Sequence, residues 1–197
     1  MSEAVLNFQT IGRSSKGHAR ASGYERAAHD WYCEPPRAVD ALLDAEQFIG
    51  EVLDPACGGG NIVQRCLARG IEAHGSDLVD RANGAFPILD FFDIAEPVDN
   101  IISNPPYNVA EQFVLHALRL ATRKVAVLVR SAFTEGQGRL ARLYTPHPPV
   151  QIWQFASRIS MPPGGTAIEA KGGSVAFCWV VWDTRSRGGR TEYGWLP

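Results

Sequence analysis

Residues 51–61 read Glu-Val-Leu-Asp-Pro-Ala-Cys-Gly-Gly-Gly-Asn. The apolar segment 51–54 predicts a strand, and the apolar spacing of residues 61–69 predicts a helix that ends at Gly70. A glycine-rich turn between a strand and a helix is where open α/β sheets bind cofactors, because glycine lets the backbone approach a ligand and the helix start presents free N–H groups. These residues therefore predict a ligand-binding loop, with a tight connection that binds nothing as the alternative.

Strands and helices alternate on either side of this loop. Six segments predict strands, namely 51–54, 71–77, 99–103, 124–129, 150–155 and 174–182, and three predict helices, namely 37–48, 61–69 and 111–122. This alternation is typical of an α/β sheet with helices on both faces. Residues 1–23 are polar and lack an apolar period, so we expect a flexible N-terminal arm followed by one domain over residues 24–197.

The composition excludes several classes of protein. The chain has 197 residues, 45% hydrophobic and 20% charged, which is typical of one soluble globular domain. It contains no apolar run of about 20 residues and no signal-peptide pattern, so we expect a cytoplasmic protein without a membrane partner. Cys33, Cys57, Cys66 and Cys178 form no C-x-x-C pair, which favours reduced thiols and no metal site.

Charge is distributed unevenly along the chain. Residues 34–99 hold 13 acidic and 4 basic side chains, whereas residues 100–197 hold 5 acidic and 11 basic side chains. This asymmetry predicts a partly basic surface in the second half that could meet nucleic acid, with simple solvation of helices as the alternative.

The glycine loop differs from the loops that bind nucleotide phosphates. It matches neither G-x-G-x-x-G nor G-x-x-x-x-G-K-[ST], which argues against a nicotinamide-dependent oxidoreductase. Asp54 would repel a pyrophosphate and suits an ammonium group. Asp77, at the end of the next predicted strand, could accept both hydroxyls of a ribose, or could instead cap a helix.

Two motifs together carry a family resemblance. Asp54-Pro-x-Cys-Gly-x-Gly followed by Asn104-Pro-Pro-Tyr107 resembles the class I S-adenosylmethionine-dependent methyltransferases that methylate exocyclic amino groups. The resemblance extends from about Trp31 to Trp182. It implies a Rossmann-like fold with a seven-stranded, mostly parallel sheet and helices on both faces.

The resemblance also implies a set of site residues for S-adenosylmethionine. Asp54 and the loop would surround the methionine part of the cofactor, and Asp77 would hold its ribose. Asp90 and Phe91 would contact the adenine. Because Phe92 and Asp93 follow directly, this last assignment is open by one residue. Trp31 and Tyr32 would lie at the end of the cofactor that carries its carboxylate, and packing in the protein core is the alternative for these two residues. Asn104 would also border the cofactor. The implied cofactor residues are Trp31, Tyr32, Asp54, Ala56, Cys57, Gly58, Gly60, Asp77, Asp90, Phe91 and Asn104.

The Asn-Pro-Pro-Tyr motif suits chemistry on a planar amino nitrogen, whose lone pair is delocalised into a ring. Acceptors at the Asn104 side-chain oxygen and the Pro105 carbonyl would localise that lone pair. Pro105 and Pro106 would fix the backbone, and Tyr107 would offer a stacking face. A base inside a duplex cannot reach such a site, so a flipped or single-stranded base is implied. A plain proline turn after a strand is the alternative.

These inferences predict methyl transfer to the N6 amino group of adenine in DNA, with no metal. The alternatives are a protein glutamine amide, an RNA base amino group, or a non-catalytic S-adenosylmethionine-binding module. Residues 134–174 are too few to form a separate target-recognition domain. This compact build resembles that of phage-type orphan adenine methyltransferases. We expect the basic side chains of residues 119–142, and Arg139 and Arg142 in particular, to contact phosphates.

Overall fold

The computed structural model describes residues 31–166, 173, 175–186 and 188–197. The predicted arm, residues 1–23, lies outside the described residues, as does part of the predicted loop 157–174. No helix in the described part of the chain is both long and apolar enough to cross a bilayer.

Seven strands form one sheet, and three helices of eight residues or more pack against it. The strands are β1 Val52–Asp54, β2 Ala73–Gly75, β3 Val98–Ser103, β4 Ala121–Arg130, β5 Gln151–Phe155, β6 Phe177–Asp183 and β7 Glu192–Leu196. The helices are α1 Pro36–Ala45, α2 Asn61–Ala68 and α3 Ala110–Leu120. A short α-helical turn, Gln137–Arg139, continues into a π-helix, Leu140–Tyr144.

The strand order is β2-β1-β3-β4-β6-β5-β7, and β6 runs antiparallel to the other six strands. From β1 the chain crosses to β2 on one side and then returns past β1 to form β3 on the other side. The carboxyl ends of β1 and β3 therefore diverge into a crevice, which is where open α/β sheets bind ligands. This topology confirms the predicted α/β sheet.

Both faces of the sheet are covered, as the continuous apolar strands predict. One buried cluster joins the sheet to α1 and α2 and includes Trp179 and Val181, and a second joins it to α3 and includes Cys178 and Trp182. Successive residues of β6 thus alternate between two cores. All four cysteines are free thiols.

Two elements differ from the sequence predictions. Helix α1 ends at Ala45 rather than at residue 48, because the Glu46 carboxylate is held by Lys124 Nζ at 2.6 Å and by Trp153 Nε1 at 2.9 Å. Strand β7 was not found among the predicted segments. Its apolar signal is weak, since Tyr193 and Trp195 are exposed on this edge strand.

We predict that Trp179→Phe lowers the free energy of unfolding by about 2 kcal/mol, because the smaller ring leaves a cavity and removes an indole hydrogen bond. Trp179 is fully buried, and its Nε1 donates to the Ala38 carbonyl of α1 at 2.9 Å. Urea unfolding measures the change. Trp195→Phe is the matched control, since Trp195 is 67% exposed and its replacement should change stability by less than about 0.5 kcal/mol. Equal losses in the two variants would contradict this account of the core.

Candidate active site

A cavity of about 250 Å³ lies at the crevice between β1 and β3. Its wall comes from segments that follow the carboxyl ends of β1, β2 and β3, together with the segment before α1. Of the predicted residues, those that line it are Trp31, Tyr32, Ala56, Cys57, Gly58, Asp77, Asp90, Phe91, Asn104 and Pro106. The topology thus brings together residues from four separate parts of the chain.

The glycine loop needs glycine at two positions. Gly58 and Gly60 have φ angles of 53° and 83°, a left-handed conformation that other residues rarely adopt. A Cβ atom on Gly58 would lie 2.7 Å from Nε1 of Trp31, so a side chain there would displace the indole from the cavity wall. The Trp31 indole thus lies directly against the buried Gly58, and Gly59 is the exposed glycine of the loop.

Asp77 holds the loop in place from the end of β2. Its Oδ2 accepts the Gly58 N–H at 2.8 Å, and its Oδ1 accepts the Val79 N–H at 3.0 Å. Arg81 Nε also donates to Oδ1 at 3.2 Å, and the Arg81 guanidinium lies 4.7 Å from the centre of the Trp31 ring. Asp77 is thus both a cavity residue and a support for the loop.

Asn104 lies on the cavity wall with its amide held from one side. Its Nδ2 donates to the Tyr32 carbonyl at 2.8 Å and to the Glu34 carboxylate at 3.0 Å. The Tyr32 carbonyl and an ionised Glu34 carboxylate only accept hydrogen bonds, so the nitrogen faces them while Glu34 is ionised. The Oδ1 atom is buried and has no hydrogen-bond partner among the described residues. The oxygen is therefore the atom of this amide whose capacity to accept a hydrogen bond is unused.

Two carboxyl groups are buried at or beside the site, where burial disfavours their charged forms. Burial raises the pKa of Glu34 from its ordinary value of 4.5 to about 7, against hydrogen bonds from its own N–H, Asn104 and Asn61 that lower it. Burial also raises the pKa of Asp54 well above its usual range, and the neighbouring negative charge of Glu34 adds to this effect. The site therefore favours a positively charged ligand.

Four predicted site residues do not line the cavity, namely Asp54, Gly60, Pro105 and Tyr107. Asp54 is buried, and its Oδ1 accepts from Ser103 Oγ at 2.7 Å and from the Ala56 N–H at 3.3 Å. Its contacts thus connect β1, β3 and the loop, which differs from the expected contact with a ligand ammonium group.

Tyr107 packs just outside the cavity. Its ring stacks against Tyr32 with centroids 5.9 Å apart, and the Arg130 guanidinium lies 4.7 Å from its centre. The face predicted for stacking a planar group is therefore shared with an aromatic ring and a cation.

The structure shows why two registers are open for the pair predicted to bind adenine. Asp90 accepts the Phe92 N–H at 2.9 Å and begins a short turn. Phe91 is buried against Phe113 at a centroid distance of 4.3 Å, whereas Phe92 is 44% exposed, and both line the cavity. The exposed ring of Phe92 is thus as available to a ligand as that of Phe91.

Sequence reasoning missed Glu34 and Arg81, which both line the cavity. Glu34 follows the pair Trp31 and Tyr32 after one intervening residue, and a carboxyl directly before Pro35 and Pro36 was the available signal. Arg81 lies four residues after Asp77, a spacing that permits an ion pair.

Arg139 and Arg142, for which phosphate contacts are predicted, both bond within the protein. Arg142 forms two hydrogen bonds to Glu111, at 2.6 and 3.1 Å, and Arg139 donates to the carbonyls of Phe133 and Glu135 at 2.6 and 2.7 Å. The bonds to Glu111 hold the π-helix against α3, while the Arg142 side chain stays 64% exposed, so its phosphate contact remains a prediction.

Arg130 differs from the other cations of this region. Arg119 bonds to His116, Arg123 to Asp99 and Lys124 to Glu46. Arg130 is exposed at the carboxyl end of β4, beside Tyr107, and forms no ion pair within the described ranges. It is the basic side chain of residues 119–142 best placed to meet an anion near the cavity.

No cluster of three or more His, Cys, Asp or Glu side chains has the arrangement of a metal site in residues 31–166, 173, 175–186 and 188–197.

No family model and no curated protein matches this chain. A crystal structure from Pyrococcus horikoshii, described as a candidate RNA methyltransferase, is similar with a TM-score of 0.60 and 18% identity over 77% of this chain and 85% of that chain. A Thermoplasma acidophilum structure is similar with a TM-score of 0.52 and 16% identity over 76% and 88%. Magnesium protoporphyrin IX methyltransferase from Synechocystis PCC 6803, with bound SAM, has a TM-score of 0.45 and 16% identity over 73% and 76%. The likeness to the first structure confirms the predicted Rossmann-like methyltransferase fold.

We predict that the free energy of unfolding falls as the pH rises from 5 to 8. A folded-state pKa of about 7 means that folded Glu34 keeps a proton that the unfolded chain releases above its ordinary pKa of 4.5. This stabilisation is complete below pH 4.5 and is lost as pH rises through 7, by roughly 2–3 kcal/mol. Asp54 contributes with the same sign.

Urea unfolding at several pH values tests this prediction. Glu34→Gln cannot ionise and should reduce the decline by roughly 2–3 kcal/mol, leaving the part that Asp54 contributes, whereas Glu72→Gln, at a side chain that is 74% exposed, should leave it unchanged. A decline of full size in the Glu34→Gln variant would show that another group is responsible.

Proposed function

We propose that this protein transfers a methyl group from S-adenosylmethionine to the N6 amino group of adenine in DNA. The observation that carries the proposal is the Asn104 amide. Its nitrogen is engaged by two protein acceptors, while its buried oxygen has no partner among the described residues. An unpaired buried acceptor costs roughly 1–3 kcal/mol, which a substrate N–H would recover.

The cavity wall fits the proposed cofactor. The glycine loop lines the cavity and leaves Gly59 exposed, and Asp77, after the end of β2, could accept ribose hydroxyls while it holds the loop. The carboxyl groups of Glu34, Asp54 and Asp77 surround this region, with Arg81 as their cationic neighbour. Such a surplus of acidic groups suits a ligand that carries ammonium and sulfonium charges.

Other predicted residues would hold the remaining parts of the cofactor. Asp90 and the rings of Phe91 and Phe92 lie on the wall where the adenine would bind, and Trp31 covers Gly58. When bound, S-adenosylmethionine supplies an electrophilic methyl group on a positively charged sulfur.

In the proposed reaction Asn104 Oδ1 accepts an N–H of the adenine amino group. This contact would localise the nitrogen lone pair, so that it could take the methyl group that S-adenosylmethionine would supply, with the S–C bonding pair left on the sulfur. The amino nitrogen then releases one proton to water. Pro105 and Pro106 restrict the backbone, so the amide does not shift during the step.

The preference for DNA adenine rests on the resemblance and on charge. Asparagine at the first motif position favours adenine over cytosine, and the second half of the chain is basic. Arg130 lies beside Tyr107 without an acidic partner in the described part of the chain, so it is free to bind a phosphate next to a flipped base. Incubation with labelled S-adenosylmethionine and DNA, RNA or protein, followed by identification of the modified nucleoside or residue, tests this preference.

We predict that Asn104→Ala lowers turnover on DNA by about 10²–10³-fold, because one fixed polar group that stabilises the developing charge is lost. Cofactor affinity, measured by calorimetry, should change little and serves as the control for folding. Near-normal turnover would reject the mechanism. A wild-type protein that binds the cofactor but modifies no substrate would instead favour a binding module.

We predict that Arg130→Ala weakens binding to duplex DNA and reduces the slope of log affinity against log salt by about 0.9, the value for one phosphate contact. Fluorescence anisotropy over a salt series measures both quantities. Arg185→Ala is the matched control, since this exposed arginine follows β6 where β4 begins, at the other end of the strands from Arg130, and pairs with Asp183. Equal effects of the two substitutions would remove Arg130 from the interface.

A further inference from the structure

Glu34 is the one ionisable side chain that hydrogen-bonds the Asn104 amide in the described structure. Both N–H groups of this amide are used, one by the Tyr32 carbonyl and one by Glu34 Oε2. The two residues stand 70 positions apart in the chain, and Glu34 lies directly before α1. The contact therefore depends on how α1 is placed against the end of β3.

We propose that Glu34 is a positioning residue that keeps the Asn104 amide oxygen directed at the substrate amino group. This inference rests on the proposed function and assigns a role to a residue that neither motif includes. An ionised carboxylate only accepts hydrogen bonds, so a reversed amide would place its oxygen against the carboxylate and the Tyr32 carbonyl. Repulsion between these oxygens disfavours the reversed orientation.

The negative charge has a second effect. A carboxylate that accepts from an amide N–H draws the amide toward its polar resonance form and makes the oxygen more negative. Hydrogen bonds to charged groups are stronger than those between neutral groups, so ionised Glu34 strengthens both effects. A protonated Glu34 has a hydroxyl that can donate to the amide oxygen and thus permits the reversed orientation.

The groups that surround Glu34 determine when it ionises. Asp54 faces it from the end of β1, Cys57 from the glycine loop and Cys33 from its own segment, and Arg81 lies on the same cavity wall. Burial raises the pKa of Glu34 to about 7. The productive amide orientation should therefore become dominant as the pH rises through neutrality.

Steady-state kinetics on DNA test the proposal with three variants. The kcat/KM of the wild type should decline as the pH is lowered below about 7. At pH 8 the kcat of Glu34→Gln should be about tenfold lower than that of the wild type, while its KM for S-adenosylmethionine should change less than threefold. The Gln variant should lose the decline below pH 7, because glutamine does not titrate. Glu34→Asp keeps the charge and should retain that decline. Glu46→Gln is the matched control, since Glu46 is also mostly buried but bonds Lys124 and Trp153 away from the cavity, and its profile should match the wild type.

Nuclear magnetic resonance of the free protein tests the same contact without turnover. The Asn104 side-chain N–H₂ signals, assigned by their loss in Asn104→Ala, should shift with a midpoint near pH 7 and should not shift in Glu34→Gln. The proposal is overturned if this shift is absent in the wild type. It is also overturned if Glu34→Gln has the kcat and the pH profile of the wild type. If the wild type transfers no methyl group while the signals titrate as expected, the proposed function fails and the positioning contact stands.

Discussion

The site depends on one buried hydrogen bond, from Ser103 Oγ at the end of β3 to Asp54 Oδ1 at the end of β1. The glycine loop begins directly after Asp54, and the Asn-Pro-Pro-Tyr segment begins directly after Ser103. The bond therefore sets the spacing between the loop and the Asn104 amide at the point where the two strands diverge. The Cys57 N–H donates to the Ser76 carbonyl at 2.9 Å and ties the loop to the end of β2 as well.

The same region concentrates buried charge. Glu34 and Asp54 are both buried near Asp77, and the folded chain tolerates this because each carboxyl accepts hydrogen bonds from neighbouring donors. Carboxyl groups whose pKa is raised by burial weaken the fold at neutral pH, where they begin to ionise. Carboxyl groups with raised pKa values cluster at functional sites, because a cationic ligand can supply the compensating charge that the free protein lacks. The arrangement thus exchanges some stability for a site that attracts a cation.

Local sequence patterns located most of the sheet and most of the cavity wall. Six strands and three helices were found within a few residues of their observed bounds, because apolar spacing and glycine stops act over short distances. Strand β7 escaped this reasoning since its aromatic side chains are exposed at the sheet edge. The roles of Arg139 and Arg142 also escaped it. Their partner Glu111 begins the helix that precedes β4, and no local pattern shows that they meet.

The sequence by itself determined strand β1, the glycine loop, helix α2 and the segment after β3 that its prolines restrict. It could do so because the backbone preferences of a residue depend on its neighbours in the chain. Only the tertiary structure decided that Glu34 and the Tyr32 carbonyl would hold Asn104, that Asp54 would bind Ser103, and that Arg130 would lie on Tyr107. These contacts join residues from different strands and loops. They depend on which parallel strands become neighbours and on how deeply each side chain is buried, and both are properties of the packed sheet.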